Sequence, residues 1–318
     1  TAIVKGKDSL EVGRQSSKEN YAVPLLVNLL RKKSNGMKKL LMVIAILFCC
    51  REAVAGNTQT EGQGARPISM GGAFIAVADS TEAVFYNPAG LTQIKGIEVS
   101  IGALSVNPKI KYTHSSNGVE NESDQSAIAP YAFLSYDSVS PVYFGFGMYA
   151  PFAKEADYNA DTVGGFGNLY ALAIRTDYSP VVAYKINERL SIGAGFIAAQ
   201  GKTKQTIQTA YDNNVYITDE LDGWGYSGLI GLLYRVNEHL KLGGVYRGRM
   251  DIIQMGQREQ TGWATSRDAT VNLHYPATAG IGIAYMPNEK LALACDIDWN
   301  DWSYLYEAVT RIAEDTAD

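Results

Sequence analysis

Apolar and polar residues alternate along most of the chain beyond residue 95. In residues 240–252 one parity reads Leu240, Leu242, Gly244, Tyr246, Gly248, Met250 and Ile252, while the other includes Lys241, Arg247, Arg249 and Asp251. In residues 170–186 the even positions are largely apolar or aromatic and the odd ones include Arg175, Asp177 and Lys185. Successive side chains of a strand point to opposite faces, so a period of two predicts strands with one apolar face. This pattern predicts nine strand segments, at 96–113, 128–138, 141–151, 169–187, 189–207, 225–237, 239–257, 275–287 and 290–302.

Three pairs of these segments meet at the same short polar turn. Asn187-Glu188-Arg189-Leu190, Asn237-Glu238-His239-Leu240 and Asn288-Glu289-Lys290-Leu291 each lie between two alternating runs. A short polar turn so flanked is a hairpin signal. Longer segments rich in Asn, Asp, Thr, Gln and Gly join one hairpin to the next, such as QTAYDNNVYITDELDG. The pattern is a meander with tight turns at one end and longer loops at the other.

A soluble sandwich hides one face of each strand and wets the other. Here the face expected to lie outside is apolar, with aromatic residues toward its ends, and the opposite face carries charges of both signs. A membrane strand needs about 9 to 11 tilted residues, and open sheet edges are not tolerated in lipid. The expected fold class is therefore all-β, a transmembrane antiparallel β-barrel of the bacterial cell outer membrane, with the tight turns on the periplasmic side. Bacterial single-chain barrels close with an even number of strands, whereas nine are predicted. The chain also ends in AVTRIAEDTAD without a terminal aromatic strand, so residues 96–318 are expected to form a partial barrel, truncated at the C-terminus.

The start of the chain has a different character. MKKLLMVIAILFCCREAVAG places two lysines before an apolar run and then a small-x-small site, the layout of a cleaved signal peptide over residues 37–55. Residues 1–36 then read as upstream translation or a disordered extension. Residues 1–55 hold ten of the 28 basic groups and four of the 33 acidic ones, so the remainder is near −11, which argues against nucleic acid as a partner. Cys295 alone survives cleavage, which excludes an intramolecular disulfide.

Catalytic and cofactor chemistry finds little support. The glycines near Gly62 and Gly71 lack the flanking strand and helix of a nucleotide site. Asp296, Asp298, Asn300 and Glu307 match some calcium-loop spacings, but Asp301 stands where a glycine belongs. The three histidines have no metal-ligand spacing. We expect no enzyme activity, no metal and no cofactor.

The inward-facing charges leave two readings open. Arg175, Arg247 and Arg249 share a face with Asp177, Asp251, Asp296 and Asp298, so they can pair with one another inside the barrel. Alternatively, one arginine meets the carboxylate of an amphipathic ligand. Ile197, Leu229, Leu233, Val245 and Ile253 are expected to give the lumen apolar patches.

The stretch GARPISMGGAFIAVADSTEAVFYNPAGL, with GWGYSGLIGLLYRVNEHLKLGGVYRGRMDI and HYPATAGIGIAYMPNEKLALACDIDWNDW, resembles the outer-membrane long-chain fatty-acid and aromatic-hydrocarbon transporter family (FadL/TodX type). The resemblance implies a fourteen-stranded barrel, of which about nine strands are present. It also implies an N-terminal hatch inside the barrel, mapping to residues 56–95, with its Asn-Pro-Ala-Gly turn at Asn87, Pro88, Ala89 and Gly90. It further implies passive uptake of a hydrophobic ligand that leaves sideways into outer-membrane lipid, by a monomer. The competing expectation is a structural or secretion-associated barrel that moves no lipid. From backbone sterics, Pro88 pushes Asn87 toward an extended conformation, and Gly90 is expected to permit a turn other residues resist. The segment 208–223 is short where family members can carry a long outer excursion.

Overall fold

The structure, a computed structural model, describes residues 62–107, 110–113, 120–123, 126–158, 169–208, 215–262, 265–288, 291–301, 303 and 310–312. The expected extension (1–36), signal peptide (37–55) and first residues of the expected hatch lie outside the described residues. Two short helices, α1 (Ala65–Ser69) and α2 (Ala83–Tyr86), and a 3-10 helix (Pro88–Gln93) precede the strands. The strands are β1 (Ile97–Val106), β2 (Ile110–Thr113), β3 (Glu120–Ser123), β4 (Ala127–Val139), β5 (Val142–Tyr158), β6 (Leu169–Lys185) and β7 (Leu190–Gln208). They continue as β8 (Tyr216–Arg235), β9 (Leu240–Arg247), β10 (Met250–Gln260), β11 (Arg267–Tyr275), β12 (Thr278–Asn288), β13 (Leu291–Asn300) and β14 (Thr310–Ile312).

β2 and β3 form a hairpin of their own, and the other twelve strands form one sheet. Its order runs β1-β4-β5-β6-β7-β8, after which β8 pairs with β9 near one end and with β10 near the other. β9 leads on to β12 and β13, and β10 to β11 and β14. Every pairing is antiparallel, as a meander of hairpins requires. The repeated turns explain their own asparagines. Asn187 Oδ1 accepts from the backbone N–H of Arg189 and Leu190 at 2.8 and 2.9 Å, and Asn237 Oδ1 from His239 and Leu240 at the same distances. Each side chain supplies the acceptor that closes its turn.

Within β6 to β9 the alternation of burial follows the sequence pattern. Arg175, Asp177, Val181 and Ala183 of β6 are buried, as are Leu221, Leu229 and Leu233 of β8. Trp224, Tyr226, Ile230 and Leu232 of β8 are exposed, with Tyr226 beside Phe196 at 5.8 Å. So large an exposed apolar surface suits lipid contact and not water.

One departure from simple alternation lies between β9 and β10. Arg247 pairs with Leu229 and Met255 with Asp222, so the returning strand spends eight steps where β8 spends seven. The extra residue is a bulge, and a shift by one residue exchanges the two faces. Lys241, Val245 and Arg247 keep to the inner face, but beyond Gly248 the buried residues are Met250, Ile252 and Gln254. This corrects three expected positions. Ile253 is 49% exposed, and Arg249 and Asp251 are likewise exposed on the outer face. Pro276 and Ala277, between β11 and β12, mark the matching break in the neighbouring strand.

The sheet curls around the segment that precedes it. From β1 to β13 it is nine strands wide, about 38 Å if flat at about 4.8 Å per strand. Yet Ser100 of β1 donates to Glu82 at 3.1 Å, while the N–H groups of Phe74 and Ile75 donate to Asp296 of β13 at 2.7 and 2.8 Å. The eight residue steps from Phe74 to Glu82 could span at most about 28 Å fully extended, and a turn between Phe74 and Ala78 shortens them. A flat sheet could not be touched at both ends by so short a segment.

Candidate functional site

The concave face of the curled sheet and the segment 62–93 seated on it bring together the expected site residues other than Arg249, Asp251 and Ile253. Phe74, Val77, Val84, Phe85 and Leu91 are buried against Phe133, Tyr149, Val181, Ile197 and Leu229 of the wall. Phe85 meets Tyr149 edge to face at 5.0 Å, and Tyr149 stacks on Phe133 at 5.6 Å. Such pairs add about 0.5–1.5 kcal/mol each beyond their burial. Of the apolar lumen candidates, Ile197, Leu229 and Leu233 lie in this buried interface, Val245 is half-buried on the same face, and Ile253 lies outside.

The Asn-Pro-Ala-Gly turn is seated deepest. Asn87 is extended, with φ −163° and ψ 101°, as Pro88 demands. Its fully buried side chain donates to the carbonyls of Ile75 and Leu232 at 2.8 and 3.0 Å and accepts from Ala89 N–H at 3.2 Å. The bond to Leu232 ties the turn to β8. Gly193 of β7 leaves room for the backbone of Pro88 and Ala89, and a Cβ there would sit 2.5 Å from both Pro88 C and Ala89 N. Gly90 serves differently from expectation. It is absent from the left-handed region, and a side chain on it would strike the carbonyl of Ala78. Close packing, not an unusual φ, requires glycine at this position.

The inward charges divide between the two readings. Arg175 and Asp177 form a buried two-bond pair, both bonds 2.7 Å, with the guanidinium packed over the touching rings of Phe152 and Tyr275 at 5.1 and 4.6 Å. Arg247 instead donates to the carbonyl of Phe85 at 2.8 Å and lies over the Phe85 ring at 4.6 Å, so it grips the seated segment. Its Nε is buried without a hydrogen-bond partner among the described residues. Asp251 sits on the outer face beside His274 Nδ1 at 2.7 Å, on the opposite side of the wall from the Arg175 pair. Polar residues outside the expected site set complete the grip: Lys241 donates to Gln93 at 2.6 Å, and Thr92 and Ser191 hydroxyls are 2.8 Å apart. Lys241 and Ser191 stand on the inward parity of their strands, whereas Thr92 and Gln93, in the 3-10 helix, carried no such signal.

Tyr86 shows how dry the seat is. Burial pushes its phenol up to about 12, against the opposing effect of the Gln63 N–H that donates to its oxygen at 3.0 Å. On the other side of the wall, Ala194, Gly244 and Ala279 lie among Tyr184, Ile230, Leu232 and Tyr246 and leave an apolar groove of about 620 Å³. The groove and the Asn87 seat are separated by little more than backbone.

The curled antiparallel sheet thus has an apolar outside and a segment bound within. The family described as outer membrane protein transport protein (OMPP1/FadL/TodX) matches residues 47–317. The chain belongs to this family. Among solved structures, the toluene transporter TbuX of Ralstonia pickettii is similar at a TM-score of 0.60 and 21% identity, over 76% of this chain and 72% of that one. The long-chain fatty acid transport protein of Escherichia coli is 25% identical over 56% of this chain and 46% of its own length. Outer membrane protein P1 of Haemophilus influenzae is 26% identical over 72% of this chain and 62% of its own length. The chain spans between 30% and 62% of the curated relatives it matches. These likenesses make the fold that of a FadL/TodX-type β-barrel and the protein one of the outer membrane of Gram-negative bacteria.

Proposed function

We propose that the protein takes up hydrophobic small molecules passively across the outer membrane, with residues 56–95 as the hatch. The observation that carries this reading is the seat itself. Segment 62–93 covers an inner wall built from apolar side chains and glycines, which suits an oily ligand better than a stream of water. Relatives named as toluene and long-chain fatty acid transporters support the same substrate class. Burial of the ligand chain supplies most of the binding, at roughly 25 cal/mol per Å². No covalent step and no cofactor enter the mechanism.

A sideways exit has structural support in β5. Its pairing with β4 begins at Met148 and Ala132, while Ala127 to Tyr131 of β4 pair only with β1 among the described residues. Beyond Met148 the strand bulges at Ala150 and Pro151, and Pro151 has no N–H to offer a neighbour. We place the lateral opening there. For an amphipathic ligand, Arg247 is the arginine best placed to receive a carboxylate, since Arg175 is taken by Asp177.

Proteoliposomes test both statements. The protein should admit a long-chain fatty acid and a matched alkane while excluding a small sugar. Arg247→Ala should slow the fatty acid about tenfold more than the alkane. Sugar entry at the rate of the hydrophobes would overturn the transport reading in favour of an open or purely structural barrel, and equal losses for both ligands would remove the role of Arg247.

A further inference from the structure

The Phe74–Ala76 stretch of the seated segment rests on a floor of its own. Gly243 of β9, Gly282 of β12 and Asp296 of β13 are consecutive partners across three strands. The backbone of Phe74 to Ala76 lies on the two glycines. A Cβ on Gly243 would strike the carbonyl of Ile75 and lie 2.9 Å from Ala76 Cα, and one on Gly282 would sit 3.0 Å from Ala76 N. No side chain on β9 or β12 can hold the segment at these positions, because none is present there.

Asp296 does the holding. Its Oδ2 accepts from the consecutive N–H groups of Phe74 and Ile75 at 2.7 and 2.8 Å, while Oδ1 is buried without a hydrogen-bond partner among the described residues. Two consecutive N–H groups converging on one carboxylate oxygen are charge-assisted bonds of the kind that hold anions on backbone. The carbonyl of Ile75 is held by Asn87, within the same segment, so Asp296 is the side chain through which the β12–β13 part of the wall grips this stretch.

The Asn87 turn has further ties of its own. Asn87 bonds β8, Thr92 meets Ser191 of β7, and Arg247 of β9 holds the Phe85 carbonyl. Gln93 fixes the carbonyls of Val77 and Ala78 at 2.9 and 3.0 Å, which anchors the chain immediately after the Phe74–Ala76 stretch. Ala78 itself takes φ 34°, a left-handed conformation that a residue with a Cβ resists, so a bend is fixed between the two stretches.

We propose that Asp296 is the releasable latch of the hatch: freeing Phe74 and Ile75, with loss of the Asn87–Ile75 bond, lifts that stretch from the Gly243–Gly282 floor and opens the lumen beside β12 and β13, while the Asn87 turn stays seated through its bonds to Leu232 and Ala89. Asp296 is a positioning residue, and its role rests on the transport reading above. Asp296→Ala removes the acceptor. Gly243→Ala lifts the same stretch without touching the carboxylate, which keeps the proposal open to test should the first variant fold poorly.

Hydrogen–deuterium exchange on the full chain in detergent, paired with hydrophobe uptake in proteoliposomes, decides the matter. Both variants should exchange the Phe74 and Ile75 amides at least tenfold faster than wild type, leave Ala89 and Gly90 unchanged, and take up alkane severalfold faster. Unchanged exchange at Phe74 and Ile75 overturns the proposal. So does equal acceleration at all four amides, which would mean general loosening of the barrel. Local acceleration with unaltered uptake overturns the latch and leaves the transport reading intact, whereas a wild type that moves no hydrophobe overturns both.

Discussion

The Asn87 turn and the Phe74–Ala76 stretch lie on the same inner wall and are held by different means. The turn is locked by shape and by a satisfied side chain. Asn87 makes three hydrogen bonds, and Gly193 admits the Pro88–Ala89 backbone so closely that no methyl group fits between. The Phe74–Ala76 stretch lies on glycines just as closely, but among the described residues its polar tie to that part of the wall is one carboxylate, besides the Asn87–Ile75 bond within the segment. Close packing resists displacement only in combination with directional bonds, because a glycine floor offers little side-chain contact of its own. Movement on the inner wall is therefore expected to begin at the stretch with the fewer ties.

The largest test of that contrast is Asn87→Ala. It leaves the carbonyls of Ile75 and Leu232 and the N–H of Ala89 without their partner, at a cost of about 4 kcal/mol. Thermal unfolding in detergent should show the loss, and sugar should leak into proteoliposomes as the whole seated segment comes free. An unchanged melting temperature would mean the turn is held by shape alone.

Arg175→Leu asks whether the wall beneath is as dependent on its own buried pair. It strands Asp177, which is 1% exposed, and should cost about 3 kcal/mol, while Arg175→Leu with Asp177→Leu should return to within about 1 kcal/mol of wild type. A double variant as unstable as the single one would show that the guanidinium's packing over Phe152 and Tyr275 matters more than its charge.

The smallest effect is the alkaline one. The folded pKa of Tyr86 lies above the ordinary tyrosine value of 10, so the folded state keeps its proton longer and its stability is fully present below pH 10. It is then lost as pH rises through about 12. Tyr86→Phe should flatten this decline when unfolding is compared at pH 9 and pH 11. Parallel declines in the two proteins would show that the seat admits water.

Much of the wall was legible in the chain. All nine predicted segments contain strands, because a period of two with aromatic and β-branched residues is a local signature. The bulge between β9 and β10 was not legible, since one added residue leaves composition unchanged while reversing every side chain beyond it. Pro276 was the available warning, as proline has no N–H for a ladder. Arg249, Asp251 and Ile253 were misplaced for that reason alone, whereas Arg175 and Asp177, on an unbroken strand, fell where the alternation put them.

By itself, then, the sequence determined what short-range sterics control: the alternating strands, the asparagine-closed turns, and the extended Asn87 before Pro88. Tertiary structure decided which charge met which partner. Arg175 found Asp177 two residues away, but Arg247 found the Phe85 carbonyl and Asp296 found two amides more than two hundred residues earlier. It also decided that Gly90 is needed for contact with Ala78 and not for its own φ. Such matters depend on strand register and on the curl of the sheet, which accumulate over many residues and leave no mark at any one of them.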